Sequence, residues 1–311
     1  MTRNVAASVH QRLLNRARAQ GRPFDALLQY FALERFLYRL GRSPYARRFV
    51  LKGALMFGVW QGPFSRPTRD VDLLGRMDNR VESVVQAIRM ICQESVPEDD
   101  GLSFDTEGIV GEVITEGAQY QGVRVRFFAR LGTARIHLQV DTGFGDVLVP
   151  GPVKVRLPTI LDFPPPEVQG YTRESTIAEK FQAIVFLGMI NSRMKDFYDV
   201  WSLATRFAFD GPILARAVRE TFHQRQTMLQ AMPVALTFAF TDDPDKQAQW
   251  GAFVRRHPFE KEPPTLDTAI QLITMLLQPV ILALMEGRPF EKHWPPGGPW
   301  REDQRESEKQ E

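Results

Sequence analysis

Ser65-Arg66-Pro67-Thr68-Arg69-Asp70-Val71-Asp72-Leu73-Leu74 passes from a basic, proline-containing loop into a β-strand. A strand turns successive side chains to opposite faces, so Asp70 and Asp72 share one face while Val71 and Leu73 point into a core. Two carboxylates about 7 Å apart along a strand can converge on one divalent cation or a close pair of cations. The same Asp-Val-Asp also suits a polar strand end that faces water. A metal site for phosphoryl or nucleotidyl transfer needs, in addition, a third acid and cations that bind phosphate.

Both requirements have candidates nearby. Upstream, Phe49-Val50-Leu51 reads as a short buried strand running into Lys52-Gly53-Ala54-Leu55-Met56-Phe57, where a helix begins. A strand that ends at a glycine and opens a helix leaves free backbone N–H groups for phosphate oxygens, and Lys52 beside it is either a phosphate neutraliser or a solvated strand end. Downstream, Phe104 to Ile114, Val123 to Leu131 and Arg135 to Thr142 show β alternation. Val123, Val125 and Phe127 fall on one side and Arg124 and Arg126 on the other. In Ile136-His137-Leu138-Gln139-Val140-Asp141 the apolar residues share a face, which puts Asp141 with His137 and Gln139. If this strand pairs with the one bearing Asp70 and Asp72, Asp141 is the third acid; otherwise it serves the turn ahead of Gly143 and Gly145.

Helices surround these strands. Val5 to Ala19 and Asp25 to Leu40 carry apolar faces at helical spacing, with Arg12, Arg16 and Arg18 on a solvated side. Arg80 to Gln93 is a third helix, followed by an acidic turn, Glu98-Asp99-Asp100-Gly101, expected to be exposed. Pro150 to Pro166 joins the sheet region to a helical half. There Thr176-Ile177-Ala178-Glu179 has the form of a capping box opening a helix to about Met189, with Ile177, Phe181, Ile184, Val185 and Gly188 as its buried stripe. Lys180 sits at the margin of that stripe, where it either snorkels to water or points across a cleft. Ser192 to Trp201 opens another helix, with Phe197, Val200, Trp201 and Ala204 inward and Asp196 and Asp199 together on a neighbouring face. Asp196 also suits the helix dipole there. Pro212 to Gln230, Gln247 to Arg256 and Pro264 to Met285 read as further helices, and residues 301–311 as a disordered tail.

Composition narrows the class. At 311 residues the chain can bury a large core. Its formal charge of +2 argues against bulk electrostatic nucleic-acid binding, so any such contact rests on local patches. A single cysteine, Cys92, excludes an internal disulfide and a thiolate zinc cluster and fits a reducing cytoplasm. No run reaches transmembrane length and no signal peptide opens the chain, so the expectation is a soluble cytoplasmic protein without a membrane partner. His137, Glu179 and Cys92 have ordinary packing or surface explanations.

Taken in order, Phe49-Val50-Leu51-Lys52-Gly53-Ala54, Arg66 to Leu73, Val140-Asp141-Thr142-Gly143-Phe144-Gly145-Asp146, Ile177-Ala178-Glu179-Lys180 and Asn191 to Trp201 resemble the AbiEii/AbiGii nucleotidyltransferase toxins, which include the MenT enzymes. The resemblance runs from about residue 25 to 210. It implies an α+β fold: a polymerase-β-like nucleotidyltransferase core, a mixed sheet flanked by helices, with a helical C-terminal half. The expected division is 1–160, 161–300 and the tail, the helical region completing the active-site cleft. It further implies a toxin of a toxin–antitoxin or abortive-infection system, with a cognate antitoxin as partner. In such an enzyme Asp70 and Asp72 hold Mg²⁺, Asp141 matches the third acid and two ions are expected. Lys180 contacts nucleotide phosphates, Asp196 or Asp199 completes the site, and Lys52 and Gly53 match the family's opening. The wider superfamily has Gly-Ser where this chain has Gly53-Ala54, so no hydroxyl is available and Arg66 or Arg69 assists the backbone in binding triphosphate. The expected reaction moves NMP from an NTP to an acceptor hydroxyl and releases pyrophosphate, by family analogy at the 3′ end of tRNA. The alternatives are a phosphoryl- or nucleotidyltransferase acting on protein and a binding module without catalysis.

Overall fold

Asp70-Val71-Asp72 begins a strand in the interior of a seven-stranded mixed sheet. The structure is a computed structural model that describes residues 4–64, 68–116, 120–256 and 263–302. It divides into two units: Met1–Asp146 with Pro152–Tyr171, and Val147–Gly151 with Thr172–Glu311.

The first unit runs α1 (Val5–Gln20), α2 (Phe24–Arg42), β1 (Phe49–Lys52), α3 (Ala54–Gln61), β2 (Asp70–Gly75), α4 (Val81–Cys92), β3 (Leu102–Glu116), β4 (Tyr120–Leu131), β5 (Ala134–Phe144), β6 (Val153–Arg156) and β7 (Glu167–Gly170). The strand order is β3-β4-β5-β2-β1-β7-β6. β2 pairs in parallel with β5 and β1 with β7; every other pairing is antiparallel. The proline-rich stretch expected to be a connector thus holds two strands, β6 and β7, and the first unit extends to Tyr171. The prolines at 150, 152, 158 and 164–166 all lie outside those two four-residue strands, where a missing N–H breaks no ladder.

The alternation read in β4 and β5 divides the sheet into a dry and a wet face. Val123, Val125, Phe127, Ala129 and Leu131 are buried, as are Ile136, Leu138 and Val140. Phe127 meets Phe36 of α2 at 5.6 Å between ring centroids. Each of these Val, Leu, Ile and Phe side chains contributes about 1.5–3 kcal/mol of burial. α4 comes so close to β3 that a Cβ on Gly111 would stand 2.7 Å from a methyl of Val81. On the opposite face Arg124, Arg126 and Phe128 are half-buried and Arg130, Arg135 and His137 are exposed.

The acidic turn before β3 is exposed at Glu98 and Asp99, as expected, but not at Asp100. Asp100 is buried and accepts two hydrogen bonds from the Arg39 guanidinium, at 2.7 and 3.1 Å. Next to it in α2, Glu34 and Arg35 are buried and paired at 2.9 Å. Glu34 accepts from the Ile160 N–H and Arg35 donates to the Pro164 carbonyl, which ties the 157–166 segment to α2. Burial pushes the Glu34 carboxyl up to about 7, against the lowering pull of Arg35.

The second unit contains α5 (Arg173–Leu187), a 3-10 turn (Gly188–Ile190), α6 (Met194–Arg206), β8 (Phe209–Asp210), α7 (Gly211–Gln224), a 3-10 turn (Val234–Leu236), α8 (Phe238–Thr241), α9 (Pro244–Arg256), α10 (Leu266–Met285), β9 (Lys292–Trp294) and β10 (Arg301–Glu302). β8, β9 and β10 form a small antiparallel sheet. Residues 301–302, expected in the tail, pair with His293 and Lys292; residues 303–311 lie outside the described residues.

α5 starts one turn earlier than the Thr176-x-x-Glu179 reading: Thr172 is its N-cap and accepts from the Ser175 N–H, while the Thr176 hydroxyl bonds the Thr172 carbonyl inside the helix. Of the expected stripe, Ile177, Phe181, Ile184 and Val185 are buried, and Gly188 is the half-exposed cap. α7 ends at Gln224, short of Gln230. In α6, Phe197, Val200 and Ala204 are buried and Trp201 half-buried. Contrary to the sequence reading, α10 is long and apolar enough to cross a membrane by length and composition, with a mean hydropathy of 1.9. Leu266, Ile270, Ile273, Leu277, Val280 and Ile281 are buried in the fold, while Met275, Leu282 and Met285 on the same helix are exposed.

Candidate active site

Strand register assembles the first cluster. Lys52 of β1 stands opposite Asp72 of β2, Asp72 opposite Asp141 of β5, and Asp141 opposite Arg124 of β4. Residues paired across neighbouring strands share a face, so four charges, in the order plus, minus, minus, plus, form a row across the middle of the sheet. Asp70, two residues before Asp72, lies opposite Gln139 in the adjoining row. Asp70 and Asp72 are half-buried.

Each end of the row is tied down. Lys52 is buried; its Nζ lies 2.9 Å from Asp146 Oδ2, and the Tyr171 hydroxyl donates to the same oxygen at 3.4 Å. The lysine proposed as a phosphate neutraliser is therefore engaged by an acid that sequence reading left without a role. At the other end, Arg124 Nε and Nη2 donate to the two oxygens of Asp141 at 2.8 and 2.7 Å, and Gln139 adds a bond at 3.2 Å. The hydrogen bonds that Arg124 donates to Asp141 hold its guanidinium above its usual range. Asp141 thus stands beside Asp72 with its carboxylate engaged, and among the described residues no three carboxylates, histidines or thiols gather as a metal-binding group.

Gly53 fixes how closely Asp72 meets the helix start. Its φ of 71° and ψ of −150° belong to a region that suits only glycine, and a Cβ there would overlap the Asp72 carboxylate, lying 2.7 Å from its Cγ. Ala54 opens α3 with no side-chain cap, so the first N–H groups of that helix are available to an anion beside Asp72. The donor set fits magnesium, which is commonly held by one or two carboxylates together with substrate phosphates. Arg69 is exposed at the entry to β2, with its carbonyl held by Gln29; Arg66 lies outside the described residues.

A second cluster forms within the helical unit. Lys180 of α5 meets Asp196 Oδ1 at 2.6 Å and Asp199 Oδ2 at 2.7 Å, both from the first turns of α6. The three side chains retain only 15, 7 and 0% exposure. The lysine neither snorkels to water nor stands apart from the two acids: it neutralises them. Cys92 is buried, which pushes its thiol up to about 12 and removes it as a nucleophile.

Against known proteins, a family model described as "Nucleotidyl transferase AbiEii toxin, Type IV TA system" matches residues 35–272, from within α2 to within α10. Among solved structures the chain is similar to JHP933 from Helicobacter pylori, with a TM-score of 0.46, 14% identity, and 84% of this chain and 94% of that one covered. It is similar also to an H. pylori protein described provisionally as a nucleotidyltransferase, at a TM-score of 0.45, 13% identity and coverages of 85 and 97%. Both likenesses are distant. No curated protein sequence matches the chain.

Proposed function

This chain belongs to the AbiEii family of nucleotidyl transferase toxins from Type IV toxin–antitoxin systems, and from that premise we propose that it transfers NMP from an NTP to an acceptor hydroxyl, preferentially the 3′ end of a tRNA, in the cytoplasm. The observation that carries this reading is the in-register row Lys52, Asp72, Asp141 and Arg124, with Asp70 two residues along and the open start of α3 at Gly53.

Asp70 and Asp72 would hold Mg²⁺, one ion or two, which supplies charge neutralisation and alignment of the triphosphate. The first N–H groups of α3 and the Arg69 guanidinium bind phosphate oxygens, with Arg66 as a further candidate. The acceptor oxygen forms a bond to the α-phosphorus while the bond from that phosphorus to the pyrophosphate oxygen breaks. Asp141, positioned by Arg124, takes the proton of the acceptor hydroxyl. Lys180 is already neutralised by Asp196 and Asp199 and is assigned to the stability of the helical unit rather than to a step of the transfer. Lys52 acts through its ion pair with Asp146, keeping the end of β1 and the Gly53 turn in place. A nucleotide added to a tRNA 3′ end blocks aminoacylation and so stops translation; the family's antitoxin would relieve that arrest.

The test is label transfer by the purified chain with each NTP carried separately on α- or γ-phosphate, magnesium, and either total tRNA or a protein extract as acceptor. The expected result is α-label on tRNA with pyrophosphate released. γ-Label on protein would replace the reading with a kinase activity, and tight partner binding without any transfer would replace it with a binding module.

A further inference from the structure

The wet face of β4 and β5 continues away from the acidic row in register. Arg126 pairs with Gln139, Phe128 with His137 and Arg130 with Arg135. At about 7 Å per pair of residues, the track from Asp141 to Arg135 is roughly 20 Å long. Its side chains are of two kinds. Arg130 and Arg135 are exposed cations, and Arg126 holds only a half-exposed ion pair with Glu112 at 2.7 Å, a bond of a kind worth little in water and readily exchanged for a phosphate. Phe128 and His137 meet edge to face at 5.4 Å, and the Arg135 guanidinium lies 3.5 Å over the Phe128 ring. Aromatic rings and stacked guanidinium planes on an open sheet face are what unpaired bases stack upon.

We propose that this face, with Arg126, Phe128, Arg130, Arg135 and His137, is the track along which a single-stranded polynucleotide lies with its terminal hydroxyl towards Asp70 and Asp72. Charge and continuity select that occupant: Arg126, Arg130 and Arg135 outnumber the acids beside them on β3, Glu112 and Asp105, and Asp70 and Gln139, opposite each other, join the track to the acidic row. A protein partner wants an apolar centre, and here the half-buried ring is flanked by charge. The track takes its direction from the proposed nucleotidyl transfer, but its existence does not depend on that chemistry.

The experiment is fluorescence anisotropy of a labelled single-stranded RNA with the full chain, without NTP, across a salt series. The doubly substituted Arg130→Glu, Arg135→Glu chain is expected to bind at least tenfold more weakly and with a shallower salt dependence. Phe128→Ala is expected to lose about tenfold with the salt slope unchanged. Equal affinity in the parent and the doubly substituted chain overturns the proposal, as does failure of the parent to bind RNA. Retained RNA binding with loss of a protein partner assigns the face to protein instead. RNA binding that depends on these residues in a parent that transfers no label leaves the track standing and removes the transferase reading.

Discussion

In the helical unit Lys180 reaches two carboxylates one helix further along the chain and the three bury one another, whereas in the sheet unit Lys52, Asp72, Asp141 and Arg124 come from four strands and leave Asp70 and Asp72 half-exposed. Local spacing builds the first cluster and long-range register builds the second. A dry, self-neutralised group contributes mostly to whether its unit folds. A row in which Asp141 is buried but Asp72 and the neighbouring Asp70 are half-exposed keeps capacity for an ion and a phosphate, so the two lysines should fail differently when removed.

The largest difference is expected in stability. Lys180→Ala leaves Asp196 and Asp199 buried side by side and should cost about 3–5 kcal/mol in chemical denaturation. Lys52→Ala removes the ion pair to Asp146, which keeps the Tyr171 hydroxyl, and should cost less, about 2 kcal/mol. Equal costs would erase the distinction between the clusters. The sheet unit should also carry a pH dependence through Glu34. The folded state holds that proton up to about pH 7, while the unfolded chain releases it near 4.5. Its stabilising contribution is therefore full below about 4.5 and is lost as the pH rises to 7, a fall of about 2–3 kcal/mol. Denaturation curves at pH 5 and 7 should diverge in the parent and converge in Glu34→Gln.

Smaller effects separate the sites further. Gly53→Ala meets both the positive φ and the Asp72 carboxylate, so it should cost about 1–3 kcal/mol and depress label transfer beyond what its stability loss explains. Thr172→Ala removes one cap bond from α5 and should cost about 1 kcal/mol without touching the sheet row. A matching loss from Thr176→Ala would restore the capping role to Thr176.

What the amino-acid order made legible follows the same divide. Period-two alternation placed Asp70 and Asp72 on one face and Arg124 and Arg126 outward, and helical spacing placed Asp196 beside Asp199. The partner of Arg124 was not legible, because which residues of β4 and β5 stand opposite each other depends on a register that no local pattern prints. Asp146 was quoted within a motif yet its bond to Lys52 depends on two distant segments meeting. Thr176 and Glu179 mimic a capping box because their spacing is right, but Thr172 lies one turn earlier with its side chain free to cap. Asp100 read as surface in an acidic run and is buried by Arg39. β6 and β7 are too short to be seen between prolines.

The most direct measurement is transfer of α-labelled nucleotide by Asp72→Asn, prepared alongside the parent and shown to melt at the same temperature. If the row across β1, β2, β5 and β4 is the reactive centre, transfer falls by at least about a thousandfold. Transfer within a few-fold of the parent, from a chain equally well folded, would contradict it.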